Sequence, residues 1–251
     1  NGAETIHASD DARPLYAIEA DHMGALLKRD ALTSDLVTPD FSINTAYWLD
    51  RWRAAGGVKY AADKLGATGF HGAALKHGAH GSVPTVTLNG LDKPVSKIVL
   101  GTDNQIDAPT MAAMGDAFFE GGGNCFDTAF IYSDGRSEAL LGEWMAARGV
   151  RDELVVLSKG AHPPECSPEA VARQLDQSLE RLQTDYLDLY CLHRDDPAVP
   201  ISEWVDALNR EVDKGRITLF GGSNWTAQRV DEANEYAAAN GLQGFSLLSN
   251  N

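Results

Sequence analysis

Apolar and polar positions alternate along this chain in two rhythms. Short apolar runs recur at "IVLGT" from Ile98, "CFDTA" from Cys125, "LVVLSK" from Leu154, "LDLYCLH" from Leu187, "ITLFGGSN" from Ile217 and "FSLLSN" from Phe245. Their starts stand 27, 29, 33, 30 and 28 positions apart. Between them the period lengthens: Val171, Leu175, Leu179 and Leu182 form an i, i+4, i+8, i+11 stripe, which predicts a helix with one buried face. Ser137, Ser167 before Pro168, and Thr226 are predicted N-caps, because a short side-chain oxygen can accept from a free first-turn N–H. Strand and helix alternating at this interval predict parallel strands joined by right-handed crossovers.

Upstream the texture differs. In "TVTLNGLDKPVSKIVLGT", Asn89-Gly90 sits between alternating segments and predicts a small two-residue hairpin ahead of the main body. "KLGATGFHGAALKHGAHGSVP" is rich in Gly, Ala and His without a sustained period, and reads as a linker. From Pro14 to about Tyr60 the spacing is helical, with Ile18, Leu26 and Leu27 marking one stretch and Ile43, Tyr47 and Trp52 another that ends at a Gly pair.

Composition narrows the partners. The chain has 251 residues, 43% hydrophobic and 23% charged, which is globular composition with ample material for a core. A formal net charge of -15 repels nucleic acid and anionic lipid, so neither is an expected partner. No apolar run reaches the roughly 18 residues of a spanning helix, and no basic-then-apolar leader opens the chain. Cys125, Cys166 and Cys191 lack framework or ligand spacing and read as free thiols in a reducing, cytoplasmic compartment. His71, His77 and His80 lie on a Gly-rich coil that preorganises nothing, so no metal is expected. Asn224-Trp225-Thr226 satisfies a glycosylation sequon, which the rim position predicted for it argues against. The chain opens without Met and closes directly after an apolar run, which suggests part of a longer polypeptide.

A doubly wound sheet and a βα-barrel both fit the rhythm, and polar placement separates them. Asp127, Lys159, His193 and the pair Ser223-Asn224 close four consecutive apolar runs, where a barrel carries its chemistry. No G-x-G-x-x-G follows the first strand, and the triple Gly at Gly121 precedes a strand instead. The expectation is therefore an α/β fold of the (βα)8 TIM-barrel type, with about six βα units present and a short, mostly helical segment before them. The four residues Asp127, Tyr132, Lys159 and His193 also make chemical sense together. A tyrosine, with an ordinary pKa of about 10, is a reluctant proton donor. A lysine beside it stabilises the phenolate, an aspartate holds that lysine charged, and a neutral histidine can orient a carbonyl. That is machinery for carbonyl reduction, and because no side chain supplies hydride, a nicotinamide cofactor is implied.

"NCFDTAFIYSDGRSEALLG" resembles the signature of the aldo-keto reductases: a Gly/Asn turn, F-D-T-A, a Tyr, then G-x-S-E-x-x-L-G. The resemblance continues through Lys159 in "LSKG", His193 in "YCLHRDDP", and "GRITLFGGSNW", and covers about Thr85 to Asn251. It implies that Tyr132 is the general acid, tuned by Asp127 and Lys159, and that His193 positions the carbonyl. It further implies NADPH, or NADH, as cofactor, held by Thr102, Asp127, Ser223, Asn224 and Ser249. Ser249 stands where the family usually has Gln, and Ser133 where Gly is common.

"DFSINTAYWLDRWRAAGGVKY" is similar to the closing stretch of the Gfo/Idh/MocA oxidoreductases. The expected domains are residues 1–65, a remnant of such a module; 66–84, a linker; and 85–251, a reductase barrel truncated after strand six. The function expected is NAD(P)H-dependent reduction of an aldehyde or ketone, with sugar-type carbonyls favoured by the fusion. Two alternatives stay open: a nucleotide-binding redox sensor or scaffold with little turnover, and an inactive fragment of a bifunctional oxidoreductase. Partners follow as a small carbonyl substrate and either a second copy or a segment that completes the barrel.

Overall fold

Six parallel strands build the sheet that carries the site. The computed structural model describes Arg51, Phe70 and residues 74–105 and 107–250. The chain divides into two units, Asn1–Lys59 and Tyr60–Asn251. In the first, Arg51 is described, as an exposed helical residue. The expectations for residues 1–65 therefore lie almost wholly outside the described residues, as does His71 of the linker.

In the second unit, strands β1 (Thr85–Val86) and β2 (Val95–Ser96) pair antiparallel, Thr85 opposite Ser96. A second sheet then runs β3 (Val99–Gly101), β4 (Cys125–Asp127), β5 (Val155–Gly160), β6 (Leu187–Leu192), β7 (Ile217–Ser223) and β8 (Leu247–Ser249), in that spatial order and all parallel. The connections after the first five strands carry helices α1 (Ala108–Glu120), α2 (Arg136–Arg148), α3 (Pro168–Leu182), α4 (Ile201–Asp213) and α5 (Ala227–Asn240). This is the TIM-barrel type of fold with six strands among the described residues, as the spacing of apolar runs predicts.

Two apolar clusters show how the sheet curls. Phe126, Val156, Tyr190 and Phe220 face the helices and meet Trp144, Val171, Leu175 and Trp204 in the larger one. Cys125, Val155, Leu157, Leu189, Cys191 and Leu219 face the other way and form the smaller, with Leu91 and Val95 from the hairpin packed onto them. Strand side chains alternate faces, so these residues are the barrel's interior and the hairpin closes its N-terminal end. The stripe predicted on α3 is buried along its length, and each such side chain contributes about 1.5–3 kcal/mol by leaving water.

Two local expectations change. The hairpin is real, but its connection runs from residue 87 to 94, and only Gly90 (φ 89) has positive φ. Leu91 N donates to Leu88 O at 3.1 Å, which makes Leu88–Leu91 a turn with glycine at its third position. The longer loop lets Leu91 reach the barrel interior, a burial that a two-residue turn would forgo. Ser137, expected to cap α2, lies inside its first turn and instead donates through Oγ to Thr102 O at 2.5 Å. Thr226 does cap α5 through Arg229 N, at 3.2 Å, while Ser167 holds the N-cap position of α3 without a side-chain hydrogen bond to a first-turn N–H.

The glycine that ends the tyrosine-bearing signature has a packing reason. A Cβ on Gly142 would meet the backbone of Arg181 and Leu182, so its absence lets α2 and α3 approach closely. The described part of the Gly-rich segment packs on the end of α1: Gly78 N donates to Phe119 O at 3.1 Å, and His80 N to Glu120 O at 2.8 Å. His77 lies edge-on to Phe119, with ring centroids 5.0 Å apart.

Candidate active site

Register brings the polar strand ends together. Asp127, Lys159, His193, Ser223 and Ser249 each follow by two residues an interior side chain or glycine: Cys125, Leu157, Cys191, Gly221 and Leu247. The same face that is apolar in the barrel's middle therefore turns polar at its C-terminal rim. These five side chains, with Tyr132 and Asn224, line an open cleft of about 380 Å³, within the range of small-molecule sites.

Lys159 is the hub. It is 2% exposed, and an ammonium so buried is costly unless all its protons are used. Nζ pairs with Asp127 Oδ1, donates to Thr128 O at 3.0 Å, and donates to Tyr132 Oη at 3.3 Å. An ammonium has three protons and no lone pair, so this set satisfies it. It also leaves the Tyr132 hydroxyl proton free to be given elsewhere, because Oη takes part in that bond as acceptor. Burial pushes the Asp127 carboxyl above the usual carboxylate range, and the adjacent Lys159 charge pulls it back.

Tyr132 enters from a loop. Phe130 N donates to Lys159 O at 2.9 Å, which ties the loop to β5, and Tyr132 N donates to Ala129 O at 3.0 Å. Below it, the fully buried Glu138 accepts from Ser158 Oγ at 2.7 Å and pairs with Arg181 at 3.1 Å. Arg181 also donates to Phe130 O at 3.0 Å. The glutamate of the signature thus braces the tyrosine loop from beneath through Arg181. Ser133 follows with φ 48 and ψ 43, the left-handed region, which explains why glycine is common at that place.

His193 is 6% exposed and stands edge-on to Tyr132, with ring centroids 5.8 Å apart. Burial, then the positive field of Lys159 and neighbouring His162 and Arg194, lowers its pKa to about 3. The ring is therefore neutral at physiological pH. Its Nδ1 is buried without a hydrogen-bond partner among the described residues.

The outer wall is built by β7 and β8. Asn224 Nδ2 donates to Ser223 Oγ at 2.9 Å, and Asn224 N donates to Ser249 O at 3.3 Å. Asn224 itself has φ 60. Among the described residues the Ser223 hydroxyl proton and Asn224 Oδ1 have no partner, leaving a donor beside an acceptor, which is the complement of a primary carboxamide. The donor set therefore fits a nicotinamide. Thr102 is placed differently: it is fully buried, and its N and Oγ1 both donate to Asp127 O, at 2.9 and 3.2 Å. It holds the aspartate's backbone and does not line the cleft.

Three further residues line the cleft that sequence reasoning did not single out: Ile131, His162 and Arg194. Arg194 immediately follows His193 in "HRDDP", and that adjacency was the available signal.

A Tyr-Lys-Asp-His group thus stands at the C-terminal rim of a curled βα sheet. The aldo/keto reductase family model matches residues 97–246, three-fifths of the chain, and the chain belongs to that family. Among relatives, an aryl-alcohol dehydrogenase of Pestalotiopsis microspora is 38% identical over 144 residues, covering 53% of this chain and 38% of that protein. Aflatoxin B1 aldehyde reductase member 4 of Homo sapiens is 38% identical over 140 residues, 55% of this chain and 42% of that one. Norsolorinic acid reductase of Aspergillus flavus is 34% identical over 165 residues, 59% and 41% respectively. The chain spans about two-fifths of the length of these curated relatives.

Proposed function

We propose that this chain carries the site for NAD(P)H-dependent reduction of an aldehyde or ketone to an alcohol, with Tyr132 as proton donor. The observation that carries the reading is Lys159, whose ammonium is shared between Asp127 and the Tyr132 hydroxyl. Family membership and the oxidoreductase names of the relatives support it.

The bound nicotinamide would supply hydride. Ser223 and Asn224 would hold its carboxamide through the open donor and acceptor described above. Neutral His193 would donate to the substrate carbonyl oxygen from a ring nitrogen and fix its angle. As negative charge builds on that oxygen, the Tyr132 hydroxyl gives up its proton and the Lys159 charge stabilises the phenolate left behind. Asp127 keeps Lys159 oriented and compensates its charge in the resting state. Sugar-type substrates rest on the N-terminal resemblance to the Gfo/Idh/MocA module, which we carry as part of the proposal for residues 1–65.

The test is NADPH oxidation with a panel of aldehydes. Tyr132→Phe should lower kcat by about 10²–10⁴-fold, the usual worth of a positioned acid, while leaving NADPH binding within threefold by fluorescence. A variant that keeps its rate would remove Tyr132 from the mechanism. Tight cofactor binding by the unaltered chain with no turnover of any carbonyl would favour the redox-sensor alternative.

A further inference from the structure

The cleft holds one positive charge that the carbonyl chemistry does not use. Asp127 and Lys159 cancel each other, and His193 is neutral, so neither leaves a net charge on the cleft. Arg194 also lines the cleft, and its hydrogen bond among the described residues runs from Nη1 to His193 O, at 2.8 Å, a neutral carbonyl.

Its neighbours are unusual in how they avoid it. The next residue, Asp195, gives both carboxylate oxygens to Arg229, at 2.9 and 3.0 Å. Asp196 Oδ1 accepts from Ala198 N at 3.0 Å. No described carboxylate pairs with Arg194, in a chain whose formal net charge is -15. Other half-buried arginines of the barrel do find one: Arg151 with Asp188 at 2.9 Å, Arg181 with Glu138 at 3.1 Å, and Arg229 with Asp195. A guanidinium has five donors in a planar fork, matched to two oxygens of an oxyanion, and most of the fork on Arg194 is unused.

We propose that Arg194 is the anchor for an anionic group on the substrate, so that the cleft selects carbonyl compounds bearing a carboxylate or a phosphate over neutral ones. This rests on the carbonyl-reduction reading for its turnover, but the anion site itself does not depend on turnover. Arg194 directly follows His193, which places the anchor beside the histidine that orients the carbonyl. His162 completes that wall: its ring lies edge-on to His193, with centroids 5.0 Å apart, and Nδ1 sits 2.8 Å from Pro163 O. A carbonyl can only accept, so Nδ1 bears a proton in that contact, and an imidazole so protonated carries no negative charge that would compete for Arg194.

The probes are 4-carboxybenzaldehyde, its neutral methyl ester, and glycolaldehyde phosphate against glycolaldehyde. Binding to the full chain is read by calorimetry and turnover by NADPH oxidation, at fixed ionic strength. The expected result is at least tenfold tighter binding, and at least tenfold higher kcat/KM, for one anionic member over its neutral partner. Which pair shows it separates carboxylate from phosphate. Arg194→Gln should bring that ratio to within twofold of one, chiefly through KM, and Arg194→Lys should restore part of it as a point charge. Equal binding of charged and neutral members overturns the proposal, as does a preference that survives Arg194→Gln. Arg194-dependent anion binding with no turnover of any probe would uphold the anion site and refute the carbonyl-reduction reading.

Discussion

At the residue scale, the site pairs some of its polar atoms fully and leaves a few open. Every proton of the Lys159 ammonium has an acceptor, whereas His193 Nδ1, the Ser223 hydroxyl proton and Asn224 Oδ1 have no partner among the described residues. His193 has a consequence for stability. Its pKa falls from 6.5 to about 3 in the folded chain, so above pH 6.5 the folded and unfolded states bind the same protons there. Between pH 6.5 and about 3 the unfolded chain takes up a proton that the folded one refuses, so stability is lost as pH falls. The slope from this residue approaches about 1.4 kcal/mol per pH unit. Urea unfolding at pH 7, 6, 5 and 4 should show a shallower acid decline in His193→Gln than in the unaltered chain, and parallel declines would contradict the account. Asp127, Tyr132, Lys159 and His193 were legible because each ends an apolar run or falls in a dense signature. Arg194 and His162 were not, because a charged residue in a loop looks solvated until its missing partners can be counted.

At the element scale, period and interval were readable and loop geometry was not. Five of the six apolar runs begin within a residue of an observed strand, and the last, from Phe245, is followed by β8 at Leu247. Burial on parallel strands demands continuous apolar character, which sequence displays directly. Ser137 shows the limit. Its position before an apolar stretch suits a cap, but Gly135 takes that place, and the hydroxyl goes to Thr102 O across the barrel rim. The hairpin formed, but not with the expected two-residue turn, for a similar reason: its loop length follows from how far Leu91 must reach. Ser133 joins sequence to strain. A serine at φ 48 costs roughly 1–2 kcal/mol against a right-handed backbone, and glycine's extra freedom in the unfolded chain returns about half of that. Ser133→Gly should raise stability by about 0.5–1 kcal/mol in urea denaturation, and a loss of stability would show that the serine side chain has a role of its own.

At the scale of the whole molecule, the barrel separates support from chemistry along its axis. The hairpin residues Leu91 and Val95 close one end, an apolar interior from Cys125 to Leu219 fills the middle, and charged or hydrogen-bonding groups occupy the other end. Cys125 and Cys191 belong to that middle layer, where burial pushes both thiols up to about 12 and keeps them unreactive. The free-thiol reading is consistent with this environment. No helix among the described residues is long and apolar enough to cross a membrane. Against a formal net charge of -15, an arginine in the cleft that pairs with no described carboxylate is the more telling.

The central proposal is that a nicotinamide held at this rim would give hydride to a carbonyl carbon while Tyr132 supplies the proton. It is tested most directly by incubating the chain with 4-carboxybenzaldehyde and NADPH deuterated at the transferring position, then weighing the product by mass spectrometry. The account predicts an alcohol one mass unit heavier, with the label on the carbinol carbon, formed by the unaltered chain and suppressed at least a hundredfold in Tyr132→Phe. An alcohol without the label, or equal labelled product from both proteins, would contradict it.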